Sequence, residues 1–230
     1  MMNPPTQATL SIIIPTLNEA GQIAATLAPL QPMRGRGGEV IVADGGSEDA
    51  TVAIATPLCD RVISAPRGRA RQMNAGAATA RGAVLWFLHA DTLAPSDADL
   101  TVLDSVTKGA LWGRFAVRLS GSHPALRIIE RMMNLRSCLT AIATGDQGLF
   151  VRRDAFARVG GYRDLPLMED IELSRALKRL GHPACLRQTV VTSSRRWEQH
   201  GIWRTVLLMW RLRLRWFLGA DAESLARRYR

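Results

Sequence analysis

The alternation of apolar runs with helix-length segments over the first 94 residues is the strongest constraint on the fold. Thr9–Ile14, Glu39–Ala43, Arg61–Ser64 and the stretch beginning at Val84 are short and rich in β-branched or apolar residues. Such runs read as strands, those without a polar alternation being buried on both faces. Between them lie helical stretches reaching to about Leu30, from Ala50 to Pro57, and from Gly68 to Arg81. Strand and helix alternating in this way predict βαβ units, right-handed crossovers and a parallel sheet. Pro15 is expected to end the first strand.

A parallel sheet gathers the carboxyl ends of its strands on one edge, which is where open α/β sheets bind ligands. Asn18-Glu19, Asp44 and Asp91 each follow one of these runs, so three distant segments meet at one cleft. A single Asp after a strand reads as a helix cap or a turn; three acidic ends together favour a nucleotide cleft. Thr16 or Asn18 is expected to cap the first helix, and Ser47 or Asp49 the second. In Asp44-Gly45-Gly46-Ser47 the glycines allow close approach of backbone to ligand, and the carboxylate suits a base N–H or ribose hydroxyls. Arg67, Arg71 and Asn74 share one helix face and Ala70, Met73 and Ala77 another, the second expected to pack on the sheet. The run from Val84 ends in His89, Asp91 and Thr92. Asp91 is the candidate ligand for Mg²⁺ or Mn²⁺, hard ions often held by one or two carboxylates plus substrate phosphates. His89 would share its strand face if the strand persisted.

The second half breaks the rhythm. Strands are expected over 110–119, 149–151 and 184–192, and helices over 97–106, 124–136, 154–159 and 170–180. Glu169-Asp170 opens the last of these after a proline-containing apolar loop. Acids there are common helix-dipole partners, but a carboxylate facing a cavity could take a proton from an attacking hydroxyl. Cys59, Cys138 and Cys185 are odd in number and scattered, which predicts neither a disulfide framework nor a zinc site and suits a reducing cytosol. The net charge of +10, nearly all from arginine, favours anionic partners without choosing among them. No leader and no membrane-spanning run are visible, so a cytoplasmic protein is expected, with membrane contact on the inner face through residues 203–218. That segment combines Trp203, Trp210 and Trp216 with a stripe of Arg204, Arg211 and Arg215, and Arg213 nearly opposite. Packing on the domain is an equal alternative.

Several of these pieces, in this order, resemble family 2 glycosyltransferases of the GT-A fold. Ser11 to Glu19 resembles that family's first strand and nucleotide loop, and Asp44 to Thr51 its Asp-Asp-Gly-Ser turn, with Ala43 in place of the first Asp. Phe87-Leu88-His89-Ala90-Asp91 is similar to the stretch ending in the metal-binding Asp-x-Asp, with His89 in place of the first acid. Gly145 to Phe150 resembles the acceptor-side segment, and Glu169-Asp170 the Glu-Asp pair that carries the catalytic base. His89 and the late Arg195-Arg196-Trp197-Glu198 are similar to a bacterial subgroup associated with arsenosugar biosynthesis. Arg196-Trp197 echoes the Gln-x-x-Arg-Trp of processive members, but Ser193 stands where Gln should be.

The resemblance implies an α/β, Rossmann-like, mostly parallel sheet flanked by helices. It assigns residues 1–200 to the GT-A domain, with a nucleotide half 1–94 and an acceptor half 95–200, and leaves 201–230 as an amphipathic helical tail. It implies an inverting, non-processive transfer from a UDP- or GDP-sugar to an unidentified acceptor hydroxyl. Asp170 would be the base with Glu169 beside it. Pro15, Thr16, Asn18, Glu19, Asp44, Ser47, Arg71 and His89 would hold the nucleotide sugar, Asp91 a divalent cation, and Gly145, Asp146 and Gln147 would face the acceptor. Nucleic acid is not an expected partner, and the oligomeric state is left open. A nucleotidyltransferase would need a Gly-rich basic loop after the first strand, which Pro15–Glu19 lacks. A non-catalytic basic membrane-associated protein would leave the three acidic strand ends unexplained.

Overall fold

The computed structural model describes residues 9–229. Its described strands form one eight-stranded sheet in the order β3-β2-β1-β4-β7-β6-β8-β5. Strands β1 (Leu10–Thr16), β2 (Glu39–Asp44), β3 (Arg61–Ser64) and β4 (Val84–Phe87) are mutually parallel, as the alternation predicts. Beyond β4 the sheet is mixed. β7 (Phe150–Arg152) runs antiparallel to both β4 and β6 (Trp112–Leu119), β6 is parallel to β8 (Ala184–Thr192), and β5 (Thr92–Leu93) is antiparallel to β8.

Alternation along β1 sends side chains to two separate cores. Ile12 and Ile14 pack with Val40, Val42 and Trp86. Ile13 packs on the opposite face with Ile41, Leu85 and Phe87. Each fully buried Ile contributes about 1.5–3 kcal/mol relative to exposure. Ala70, Met73 and Ala77 of α4 (Arg69–Thr79) join the second core, as their spacing predicts. The helix comes close there because position 76 is glycine: a Cβ on Gly76 would lie 2.4 Å from Ile13 Cγ2.

Pro15 does not end β1, which runs on to Thr16. The Ile13 carbonyl accepts from Leu88 N on the β4 side of the strand. By alternation Pro15 faces the same side, where pairing with β4 has already stopped at Ile13, so its missing N–H costs no ladder bond. The expected caps also differ. Neither α1 (Ile23–Leu27), which continues through a 3₁₀ turn into α2 (Gln31–Gly35), nor α3 (Thr51–Ala55) has a side-chain cap. The polar residues instead knit two loops together. Ser47 Oγ accepts from Asn18 N, Asn18 Oδ1 accepts from Glu48 N, and Asp49 accepts from Ala20 N and Thr51 N.

The second half carries α5 (Ala98–Thr107), α6 (Pro124–Thr140), α7 (Arg153–Arg158) and α8 (Glu169–Lys178). The chain closes with α9 (Arg195–His200), α10 (Ile202–Phe217) and α11 (Ala222–Tyr229). Leu212 of α10 and Leu225 of α11 bury against Ile142, Leu167, Met168 and Ile171. The tail is therefore seated on the loop that leads into α8. The expectation of unpaired cysteines is corrected: Cys138 of α6 and Cys185 of β8 form a disulfide, their Cα atoms 6.0 Å apart, while Cys59 is free and buried. Counting and spacing did not reveal the pair, because packing of α6 on the β6–β8 strands brings together residues 47 apart. Among the described residues no helix is long and apolar enough to cross a membrane.

Candidate active site

The carboxyl ends of β1 and β4 open onto a cleft of about 770 Å³ lined by Pro15, Thr16, Glu19, Arg67, Arg69, Arg71, Gln72, His89 and Asp91, with Asp164 and Glu223 at its margin. Five separate segments thus supply its polar wall. β4 stops at Phe87 and the chain turns, Thr92 N donating to His89 O. His89 and Asp91 therefore project from a turn rather than from one strand face, yet both line the cleft.

Glu19 follows Asn18, which holds a left-handed backbone at φ 55°. The Glu19 N–H donates to Thr51 Oγ1 at 2.7 Å, so the loop is pinned while the carboxylate faces the cleft. Burial pushes the Glu19 carboxyl above its usual range, and the charge of Asp91 adds to it against opposition from Arg195. Two carboxylates lining one cleft are oxygen donors of the kind a hard cation takes. Among the described residues no three His, Cys, Asp or Glu side chains cluster into a closed metal site. The pair suits a hard ion completed by ligand phosphates rather than an all-protein cage.

Asp44 is only 6% exposed and does not line the cleft. Its Oδ2 accepts from Gly46 N and Ser47 N, both at 2.9 Å, and its Oδ1 from Ser47 Oγ at 2.5 Å and Thr16 Oγ1 at 3.3 Å. Burial pushes its carboxyl up, but these hydrogen bonds outweigh burial and hold it below the usual carboxylate range. Asp44 and Ser47 thus stand behind Thr16 as the frame of the loop. Gln72, which sequence reasoning passed over, braces the same place by donating to Thr16 O at 2.7 Å and Ala43 O at 2.8 Å.

The arginine face of α4 divides. Arg71 lines the cleft and pairs at its rim with Asp164, Nε to Oδ1 at 2.8 Å, both side chains being more than half exposed. Asn74 does not extend the site. Its amide donates to Tyr162 O and accepts from Tyr162 N, clamping two segments together. Arg69 was missed, because it lies off the Arg67–Arg71–Asn74 face. Its Nε lies 2.9 Å from Glu169 Oε1.

A second, smaller pocket adjoins the cleft, with Arg69 and His89 lining both. Its wall also includes Thr144, Gly145, Asp146 and Asp170, and from the tail Met209, Arg213 and Tyr229. Asp170 Oδ2 accepts from Gly145 N at 2.9 Å and Oδ1 from Ile171 N at 2.7 Å. Glu169 lies behind it, 2% exposed, its Oε2 without a partner among the described residues. Burial raises the Glu169 carboxyl above its usual range, Arg69 opposing this and Asp170 adding to it. Met168, immediately before, is left-handed at φ 68°, a second such residue placed directly ahead of a candidate acid.

His89 Nδ1 lies 3.4 Å from Asp146 Oδ1. Burial alone would lower the imidazole, but Asp146 overrides it and the net direction is up. Gly145 leaves room for this pair, since a Cβ there would lie 2.3 Å from His89 Nε2 and the ring would have to move. Gln147, expected on the acceptor side, lines neither pocket. It is fully buried and closes a capping box, accepting from Thr144 N and donating to Ser137 Oγ. Arg213, Tyr229 and Glu223 reach the site from the tail, which sequence periodicity alone could not place there.

A family model described as glycosyl transferase family 2 matches residues 11–158. The probable glycosyltransferase YdaM of Bacillus subtilis is 26% identical over 91% of the chain, and the chain spans 54% of that relative's length. Among solved structures, Staphylococcus aureus TarS residues 1–349 in complex with UDP-GlcNAc is similar with a TM-score of 0.66 at 16% identity, covering 80% of this chain and 58% of that one. The mannosyltransferase PcManGT of Pyrobaculum calidifontis, in complex with GDP-Man and Mn²⁺, gives 0.61 at 20% identity over 79% of this chain and 56% of that one. At these identities the structural likeness shows the GT-A fold.

Proposed function

The chain belongs to glycosyl transferase family 2, and from that premise we propose that it transfers a sugar, with inversion, from a UDP- or GDP-sugar to an acceptor hydroxyl. The observation that carries this reading is the adjacency of two pockets: a cleft holding Glu19 and Asp91, and a smaller one holding Asp170, joined by Arg69 and His89. The nucleotide sugar lies across the strand ends against Pro15, Thr16, Glu19 and Arg71, on a loop framed by Asn18, Asp44 and Ser47. Asp91, with Glu19 beside it, would hold a divalent cation, whose chemistry is to neutralise charge on the leaving diphosphate. Similar proteins solved with UDP-GlcNAc, or with GDP-Man and Mn²⁺, support the donor class and the ion.

Asp170 takes the proton from the acceptor hydroxyl. The freed oxygen forms a bond to the anomeric carbon as the bond from that carbon to the diphosphate breaks, the electron pair leaving with the diphosphate. The Gly145 N–H fixes the carboxylate's direction, and buried Glu169, paired with the half-exposed Arg69, supports it from behind. Positioning of donor, acceptor and base supplies much of the rate. The tail adds membrane contact, for α10 turns Trp203, Leu207, Trp210, Leu214 and Phe217 outward. With Cys138 and Cys185 paired, cysteine usage gives no support to a cytosolic location. A thermal-shift screen of nucleotide sugars with Mn²⁺ or Mg²⁺ tests the reading, which expects stabilisation by a UDP- or GDP-sugar and fails if none shifts the transition.

A further inference from the structure

The acid pocket continues into a larger, apolar groove. A channel of about 650 Å³ runs between α6 and α10, walled by Ile128, Met132, Trp203, Leu207 and Trp210 among others. Thr144, Asp146, Met209 and Arg213 line both this groove and the pocket that holds Asp170. Its outer walls are open: Trp203 is 68% exposed, Trp210 61% and Ile128 57%. An apolar surface of this kind marks a binding site, and its volume lies in the range of ligand pockets.

The inner end of the groove carries two arginines beside the single acid Asp146. Arg136 of α6 and Arg213 of α10 both line it, and neither forms an ion pair among the described residues. Arg136 Nη1 reaches only Ile142 O at 3.3 Å, and its buried Nη2 has no partner. Burial pushes the Arg136 guanidinium down to about 10, and Arg213 adds to the effect. The fields of Asp170 and Asp146 reach Arg213 and that of Asp170 reaches Arg136, but neither acid forms an ion pair with these arginines: Asp170 accepts from Gly145 N and Asp146 lies against His89. Half-buried cations without partners are costly unless an anion joins them.

We infer that the acceptor is an anionic amphiphile whose apolar chain lies in the α6–α10 groove, whose anionic group sits between Arg136 and Arg213, and whose hydroxyl reaches Asp170. This rests on the transfer reading of Asp170 given above. Charge complementarity favours this occupant over a second copy of the chain. A two-fold interface would set Arg136 and Arg213 of one copy against the same arginines of the other. Continuity of the groove with the base pocket points to a substrate rather than to an anchor alone.

Decyl phosphate below its micelle concentration is the probe, with decyl glucoside and inorganic phosphate as controls, on the full chain. Trp197, Trp203 and Trp210 line the groove, so tryptophan emission reports occupancy. UDP or GDP stabilisation with Mn²⁺, measured on the same samples, reports the donor site. The expected result is a blue shift with decyl phosphate at about tenfold lower concentration than with decyl glucoside, and none with inorganic phosphate. Met132→Glu, at a half-exposed position, should abolish the response, and Arg213→Gln should erase the phosphate preference. Equal responses to both decyl compounds, or none to either, would overturn the inference while nucleotide stabilisation persists. A dimer by sedimentation that excludes decyl phosphate would also overturn it, assigning the groove to a second copy. Loss of nucleotide stabilisation in the wild-type protein would instead remove the transfer reading beneath it.

Discussion

The backbone N–H of Gly145 donates to Asp170 Oδ2 at 2.9 Å, joining the loop after α6 to the first turn of α8. The same glycine leaves room for His89, whose Nε2 would lie 2.3 Å from a Cβ at this position. One residue thus sets both the direction of the proposed base and the place of the neighbouring imidazole.

Gly145→Ala is expected to lower turnover more than stability. The added methyl must displace the His89 ring, a side chain able to yield, so the cost to folding should be about 1–3 kcal/mol. Steady-state kinetics with nucleotide-binding titration checks this. A large fall in kcat with donor affinity unchanged is expected, whereas an unchanged kcat would detach Gly145 from the chemistry.

Asp91→Asn should raise the Mn²⁺ concentration needed for half-maximal nucleotide stabilisation by tenfold or more, about 1.4 kcal/mol. A thermal-shift titration reads it directly. An unchanged metal requirement would move the ion away from Asp91.

Asp44 carries the pH dependence of the loop. Its folded value lies below the usual carboxylate range, so its stabilisation is fully present above the unfolded value of about 3.9 and is lost as pH falls through the folded value. Asp44→Asn places an amide among donors and should cost about 1–3 kcal/mol at pH 7. Urea unfolding at pH 7 and near pH 3 checks the sign, since the gap between variant and wild type should narrow in acid.

Removing the guanidinium by Arg69→Met leaves Glu169 buried without its partner. A loss of about 1–3 kcal/mol is expected, and adding Glu169→Gln should recover part of it. Additive losses in the double-mutant cycle would show that the pair is not coupled.

The parallel half was legible in the sequence because buried strands and helix-length crossovers carry a strong periodic signal, and Ala70, Met73 and Ala77 found their core as read. Glu19, Arg71, His89 and Asp91 came to one cleft because strand ends share an edge. What could not be read was the destination of side chains that serve long-range contacts. Asn74 turned to Tyr162 and Gln147 to Ser137, while Arg69, two positions from both Arg67 and Arg71, entered the site. Helical spacing says which residues share a face but not what lies opposite. For the same reason the Cys138–Cys185 pair and the approach of Arg213 and Tyr229 followed only from tertiary packing.

Donor binding and turnover, measured together for Asp170→Asn with a nucleotide sugar that stabilises the wild-type protein, test glycosyl transfer at this site most directly. The expected result is donor affinity within about threefold of wild type and release of nucleoside diphosphate slowed by at least about 10²-fold, the scale of a general base. Release at near wild-type rate by a folded, donor-binding variant would contradict it.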